Sequence, residues 1–124
     1  MRTVLIIEDN EKNMKLARDV LQAKGYQTLE AVTGEEGVKL AKDRVPDLVL
    51  MDIQLPGING IEAFKQIRAD SKTARVPVVA LTASVTPTDR SAISAAGFDA
   101  FVSKPINLKE FLDTVKRLVD GGKK

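Results

Sequence analysis

The sequence predicts an α/β protein: a doubly wound, five-stranded parallel sheet in the order 2-1-3-4-5, with helices on both faces. Three observations lead there. Short β-branched runs alternate with helix-period segments along the whole chain, as in successive βαβ units. The runs Val4-Leu5-Ile6-Ile7, Leu48-Val49-Leu50-Met51 and Val78-Val79-Ala80-Leu81 are continuously apolar, which marks strands covered on both faces. Thr28-Leu29-Glu30-Ala31 alternates and carries a charge, and the fifth run ends in polar Ser103, which suits the two edges of a sheet.

Each element has a local reason. The first strand, Val4–Ile7, runs into Glu8 and Asp9. The first helix, Glu11–Lys24, is closed by Gly25 at the position a left-handed residue takes after a helix. The second strand spans Gln27–Ala31, and Thr33 with Glu36 forms a capping box for a second helix over Gly34–Asp43. The third strand, Leu48–Asp52, ends in a carboxylate, and a third helix follows over Gly60–Ala69. The fourth strand, Val78–Thr82, leads to a fourth helix over Pro87–Ala96, with Thr86 as cap, Pro87 in the first turn and Gly97 as stop. After the fifth strand, Ala100–Ser103, Asn107 and Glu110 begin the last helix. Its apolar residues Leu108, Phe111, Leu112, Val115, Leu118 and Val119 recur at helical spacing.

With 124 residues, 44% hydrophobic and 29% charged, the chain is expected to form one globular domain over residues 1–120, with a flexible tail at 121–124 and no output domain. Cysteine and histidine are absent, which excludes disulfides, thiolate or imidazole metal sites, Ser-His-Asp triads and a phosphohistidine on this chain. A formal net charge of +2 is too small for DNA binding by bulk charge. No apolar run approaches the roughly 20 residues of a membrane helix, and the first is cut by Glu8 and Asp9, unlike a signal peptide. A cytoplasmic protein is expected. The glycines form neither GxGxxG nor GxxxxGK[ST], so a nucleotide cradle is not expected.

In the 2-1-3-4-5 order ligands bind at the carboxyl ends of the strands, where the winding reverses between the first and third. There the sequence puts Glu8 and Asp9, then Asp52, then Thr82 and Ala83, then Ser103, Lys104 and Pro105. Each has an ordinary use when taken alone. Acids follow strands in solvent, aspartate caps turns, threonine fills strands and lysine lies on surfaces. Their coincidence at one crevice argues otherwise. Clustered carboxylates repel, and a hard divalent cation offsets the repulsion. Asp9 and Asp52 are the best ligands, with Glu8 direct or through water and the Gln54 backbone carbonyl completing the set. An aspartate beside such a cation can attack phosphorus to form an acyl phosphate. Asp52 would be the nucleophile, while Lys104, the Thr82 hydroxyl and the Ala83 N–H would hold the other phosphoryl oxygens. The absent nucleotide cradle makes another protein, or a small phosphoanhydride, the donor.

Glu8-Asp9, Asp52 with Pro56-Gly57 and Gly60, Thr82-Ala83 and Lys104-Pro105 resemble the CheY-like receiver domain of two-component response regulators, a flavodoxin-like fold. The run Glu8–Leu16 with Met51–Pro56 resembles the stand-alone, DivK-like type. The resemblance implies phosphorylation of Asp52 by a sensor histidine kinase or histidine phosphotransfer protein, and magnesium or manganese at Glu8, Asp9, Asp52 and the Gln54 carbonyl. It implies a cis bond before Pro105, Thr82 as switch hydroxyl and Phe101 in place of a switch aromatic that is often tyrosine. It further implies kinase docking on Met14, Lys15, Arg18 and the loop after Lys104. A downstream protein would bind the face made by the fourth helix, fifth strand and last helix, with the chain a monomer or weak dimer. Phosphorylation is expected to draw Thr82 toward Asp52 and let Phe101 fill the space, shifting an existing equilibrium. Two other readings are a phosphorylation-independent adaptor on the same fold and an aspartate-nucleophile phosphatase. The phosphatase wants an acid two residues beyond the nucleophile, where this chain has Gln54.

Overall fold

A computed structural model describes residues 2–53, 58, 60–82, 91, 95–103 and 107–121. Five strands, β1 (Thr3–Ile7), β2 (Gln27–Ala31), β3 (Leu48–Asp52), β4 (Val78–Thr82) and β5 (Ala100–Ser103), form one sheet in the order β2-β1-β3-β4-β5. Every neighbouring pair is parallel. Helices α1 (Glu11–Ala23), α2 (Gly34–Arg44) and α3 (Gly60–Ala69) and a C-terminal helix (Leu108–Gly121) surround it. The fourth helix expected over Pro87–Ala96 falls largely outside the described residues, and Ser91, Ala95 and Ala96 within it are helical.

The continuous apolar strands are central, as their composition requires. Every residue of β3 and β4 is buried, whereas Gln27 and Glu30 of β2 are exposed. Side chains alternate between faces. Val4, Ile6, Leu48, Leu50, Val79, Leu81 and Val102 pack against α1 (Met14, Ala17, Leu21) and the C-terminal helix (Phe111, Val115, Val119). Leu5, Ile7, Val49, Met51 and Val78 pack against α2 and α3 on the other side. Both faces of the sheet are thus covered by helices.

The helix ends show where local physics sharpened the expectation. Helix α1 stops at Ala23, one residue early, because Lys24 caps it and Gly25 takes φ +90°. Gly25 N–H donates to Gln22 O (3.0 Å) and Tyr26 N–H to Leu21 O (3.1 Å), the two bonds of a Schellman turn. The Thr33 hydroxyl accepts from Glu36 N (3.1 Å), but the returning Glu36 carboxylate reaches Val32 N (3.0 Å) rather than the cap residue's own N–H. Helix α2 runs to Arg44 and ends on Val45, whose φ of 40° is left-handed. The C-terminal helix continues to Gly121, two residues past the expected Val119. Asn107 Oδ1 accepts from Glu110 N (3.0 Å), as its sequence position anticipates.

Candidate functional site

Parallel register carries the ends of β1 and β3 to one place. Ile7 pairs with Met51, so the next residue on each strand, Glu8 and Asp52, emerges at the same edge. One carboxylate oxygen from each of Glu8, Asp9 and Asp52 lies within 4.8 Å of the others. Glu8 is 1% exposed and Asp52 5%, whereas Asp9 is exposed. Two acids are thus withdrawn from water and a third faces it. At that spacing two ionised carboxylates repel by about 3 to 4 kcal/mol at an effective dielectric constant near 20.

The oxygens fit a magnesium ion. The donors are hard, two are held by buried strand ends, and the exposed Asp9 leaves a side open to the waters this cation keeps. The chain has neither cysteine nor histidine, so it offers no thiolate or imidazole to a competing metal.

Local structure holds the acids. Asn10 is the N-cap of α1: its Oδ1 accepts from Lys12 N (2.9 Å) and Asn13 N (3.1 Å). The same residue's N–H donates to Glu8 Oε2 (3.1 Å), so the cap that starts the helix also orients a candidate ligand. Sequence reasoning missed Asn10, although an asparagine just before a helix is a recognisable cap signal. On the β3 side, Gly60 opens α3 with its N–H donating to Ile53 O (2.9 Å). A Cβ there would lie 2.5 Å from Asp52 O and 2.7 Å from the Ile53 Cα. Only glycine lets α3 begin this close to Asp52.

Thr82 ends β4, 3% exposed, and pairs with Ser103 across the ladder. Ile53 N–H donates to Leu81 O (3.0 Å), which ties the residue after Asp52 to the residue before Thr82. Phe101 lies half-buried on β5 opposite Ala80, and since Val102 faces the α1 side, Phe101 is directed to the other face. Gln54, Ala83, Lys104 and Pro105 lie outside the described residues; of the expected site the structure brings together the three acids, sets Thr82 at the end of the adjacent strand β4 and places Phe101 on β5.

Beside the acids opens a cleft of about 430 Å³ lined by Glu8, Asp9, Glu11, Lys12, Met14, Lys15, Arg18, Glu30 and Val32. Three of its residues, Met14, Lys15 and Arg18, are those expected to meet a kinase. The Arg18 guanidinium donates to Glu30 (3.3 Å) and Asp19 (3.4 Å). Its pKa is raised by the Glu30 hydrogen bond first and by Asp19 second, so it stays cationic. No helix among the described residues is long and apolar enough to cross a membrane.

The family described as the response regulator receiver domain matches residues 4–116. The polar-differentiation response regulator DivK of Brucella ovis is 44% identical over 115 residues, covering 93% of this chain and 94% of that protein. DivK of Brucella anthropi matches to the same extent. Among solved structures, the receiver domain of the sensor histidine kinase PA1611 from Pseudomonas aeruginosa, with magnesium coordinated in its active-site cleft, aligns with TM-score 0.90 at 31% identity. It covers 96% of this chain and 98% of that one. Chemotaxis protein CheY4 of Vibrio cholerae aligns with TM-score 0.89 at 27% identity, covering 95% and 98%.

Proposed function

Because this chain belongs to the response regulator receiver family, we propose that it accepts a phosphoryl group on Asp52 from a histidine kinase or histidine phosphotransfer protein and signals as a DivK-like regulator through altered protein binding. The observation that carries the reading is the cluster of Glu8, Asp9 and Asp52 at the carboxyl end of the sheet, within 4.8 Å.

A carboxylate oxygen of Asp52 attacks the phosphorus of a phosphohistidine. The P–N bond breaks, its electron pair leaves with the imidazole, and Asp52 becomes an acyl phosphate. A magnesium ion held by Glu8, Asp9, Asp52 and the Gln54 carbonyl supplies neutralisation of the charge on the transferring oxygens when bound. Lys104 holds a second oxygen by its ammonium group. The Thr82 hydroxyl and the Ala83 N–H hold the third. Buried Glu8 and Asp52 keep the nucleophile fixed, so the cost of orienting it is met by the fold and not at the moment of transfer.

The same contacts make the signal. The Thr82 hydroxyl, drawn to the phosphoryl group, leaves space that the half-buried Phe101 fills from β5. Phenylalanine has no hydroxyl, so only burial of the ring reports the change. The output surface is then the face around β5 and the last helix.

The test is incubation of the full chain with acetyl phosphate, with and without magnesium, followed by intact mass. One added phosphoryl group that needs the metal and vanishes in Asp52→Asn supports the reading. An adduct that ignores the metal or survives Asp52→Asn overturns it.

A further inference from the structure

Helix α1 and the C-terminal helix contribute to one core cluster, and a groove of about 410 Å³ lies between the turn that ends α1 and the C-terminal helix. Lys24, Tyr26, Lys109, Leu112, Asp113 and Lys116 line it. None of these lines the cleft beside Glu8 and Asp9. The floor is Tyr26 and Leu112, both partly buried against the core. The rim is three exposed ammonium groups against one carboxylate, in a chain whose whole formal charge is +2. None of the three lysines forms an ion pair with another described residue. The Schellman turn fixes the backbone of Tyr26.

We infer that this groove docks an acidic amphipathic helix of a partner protein, its apolar ridge on Tyr26 and Leu112 and its carboxylates at Lys24, Lys109 and Lys116. An aromatic and an aliphatic side chain within a cationic rim have the anatomy of an interface, with apolar anchors at the centre and charge at the edge to steer and select. Lys109, Leu112, Asp113 and Lys116 recur at helical spacing along one stripe of the C-terminal helix, against which a second helix can lay its own ridge. A nucleic acid is the poorer occupant, because Asp113 sits on the rim and the molecule lacks a broad basic field. A free anion is poorer too, because exposed lysines on long flexible stems are not a preorganised cradle.

The inference stands apart from phosphoryl acceptance, since no residue of the groove belongs to the acidic site. Tyr26 is the only tyrosine and tryptophan is absent, so the floor carries its own fluorophore. The probe is a synthetic helix with leucine at i and i+4 and glutamate on its flanks, titrated into the isotope-labelled full chain. The control is the same peptide with glutamine for glutamate. Tyr26 emission should change, and amide shifts should concentrate at Lys24, Tyr26, Leu112 and Lys116. The triple variant Lys24→Gln, Lys109→Gln, Lys116→Gln should bind about tenfold more weakly with an unchanged circular dichroism spectrum, and Asp113→Asn about twofold more tightly. Asp52→Asn should bind like the parent, so a failure of phosphorylation and a failure of docking are separable. Four results overturn the inference: absent binding, equal binding of the glutamine peptide, an unaffected triple variant, or shifts centred elsewhere. Displacement of the peptide by inorganic pyrophosphate or by a DNA duplex assigns the groove to those ligands instead. A concentration-dependent dimer with the same shifts assigns it to a second copy, and each of these also overturns it.

Discussion

Gly60→Ala separates two physical effects by sign. Alanine is the better helix former, by about 1 kcal/mol in a helix interior. On propensity alone the substitution at the first residue of α3 stabilises the chain. The structure predicts the reverse. The added Cβ would lie 2.5 Å from Asp52 O, 2.7 Å from the Ile53 Cα and 3.2 Å from the Asp52 carbonyl carbon, all backbone atoms that no rotamer change can clear. Ordinary contact requires nearly an ångström of movement between α3 and the end of β3. Forcing such an approach costs about 1 to 3 kcal/mol, which exceeds the propensity gain in most of its range. We expect a net loss of up to about 2 kcal/mol, and a fall in Tm of up to about 8 °C by circular dichroism. Displacing a reacting group by about 1 Å costs on the order of a hundredfold in rate, so initial phosphorylation by acetyl phosphate should fall between about tenfold and a hundredfold. A variant that melts at or above the parent and reacts at the parent rate would refute the claim that this close approach positions Asp52.

Four further outcomes follow from particular contacts. Magnesium added at a hundred times its dissociation constant should raise stability by about 2.7 kcal/mol in the parent, and chelation should reverse the rise. Asp9→Asn should raise the metal-free Tm by relieving repulsion while removing most of the magnesium-induced shift, both read in one melting series. Val45 takes a left-handed φ that a β-branched residue resists, and its side chain is exposed, so Val45→Gly should stabilise by about 0.5 to 1 kcal/mol in denaturant titration. Asp99 Oδ2 accepts from Arg68 Nη2 (2.6 Å) and from Val78 N (2.8 Å). Asp99→Ala leaves both donors without that partner and should cost about 1 to 3 kcal/mol, with a coupling of about 1 kcal/mol to Arg68→Ala in a double-mutant cycle.

Sheet order was legible because burial writes itself into strand composition. Val4–Ile7, Leu48–Met51 and Val78–Leu81 have no polar residue, so they could only be central, and Glu30 marked β2 as an edge. Once that order stood, Glu8, Asp9 and Asp52 had to meet, since parallel strands deliver their carboxyl ends to one side. Details that depend on three-dimensional approach were not legible. Asn10 as a support for Glu8 depends on where a backbone N–H points, and the role of Gly60 depends on how near α3 comes to Asp52. The Glu36 carboxylate chose Val32 N over the cap residue's N–H, a choice of one residue that spacing does not encode. The groove floored by Tyr26 and Leu112 joins residues far apart in sequence, and no local pattern signals it.

The most direct measurement is chemical trapping. Borohydride reduces an aspartyl phosphate to homoserine, and tandem mass spectrometry then locates the reduced residue. After reaction with acetyl phosphate and magnesium, homoserine should appear at position 52 and nowhere else. Homoserine at another acid, or none while the intact protein carries a phosphoryl group, would contradict the assignment of Asp52 as the nucleophile.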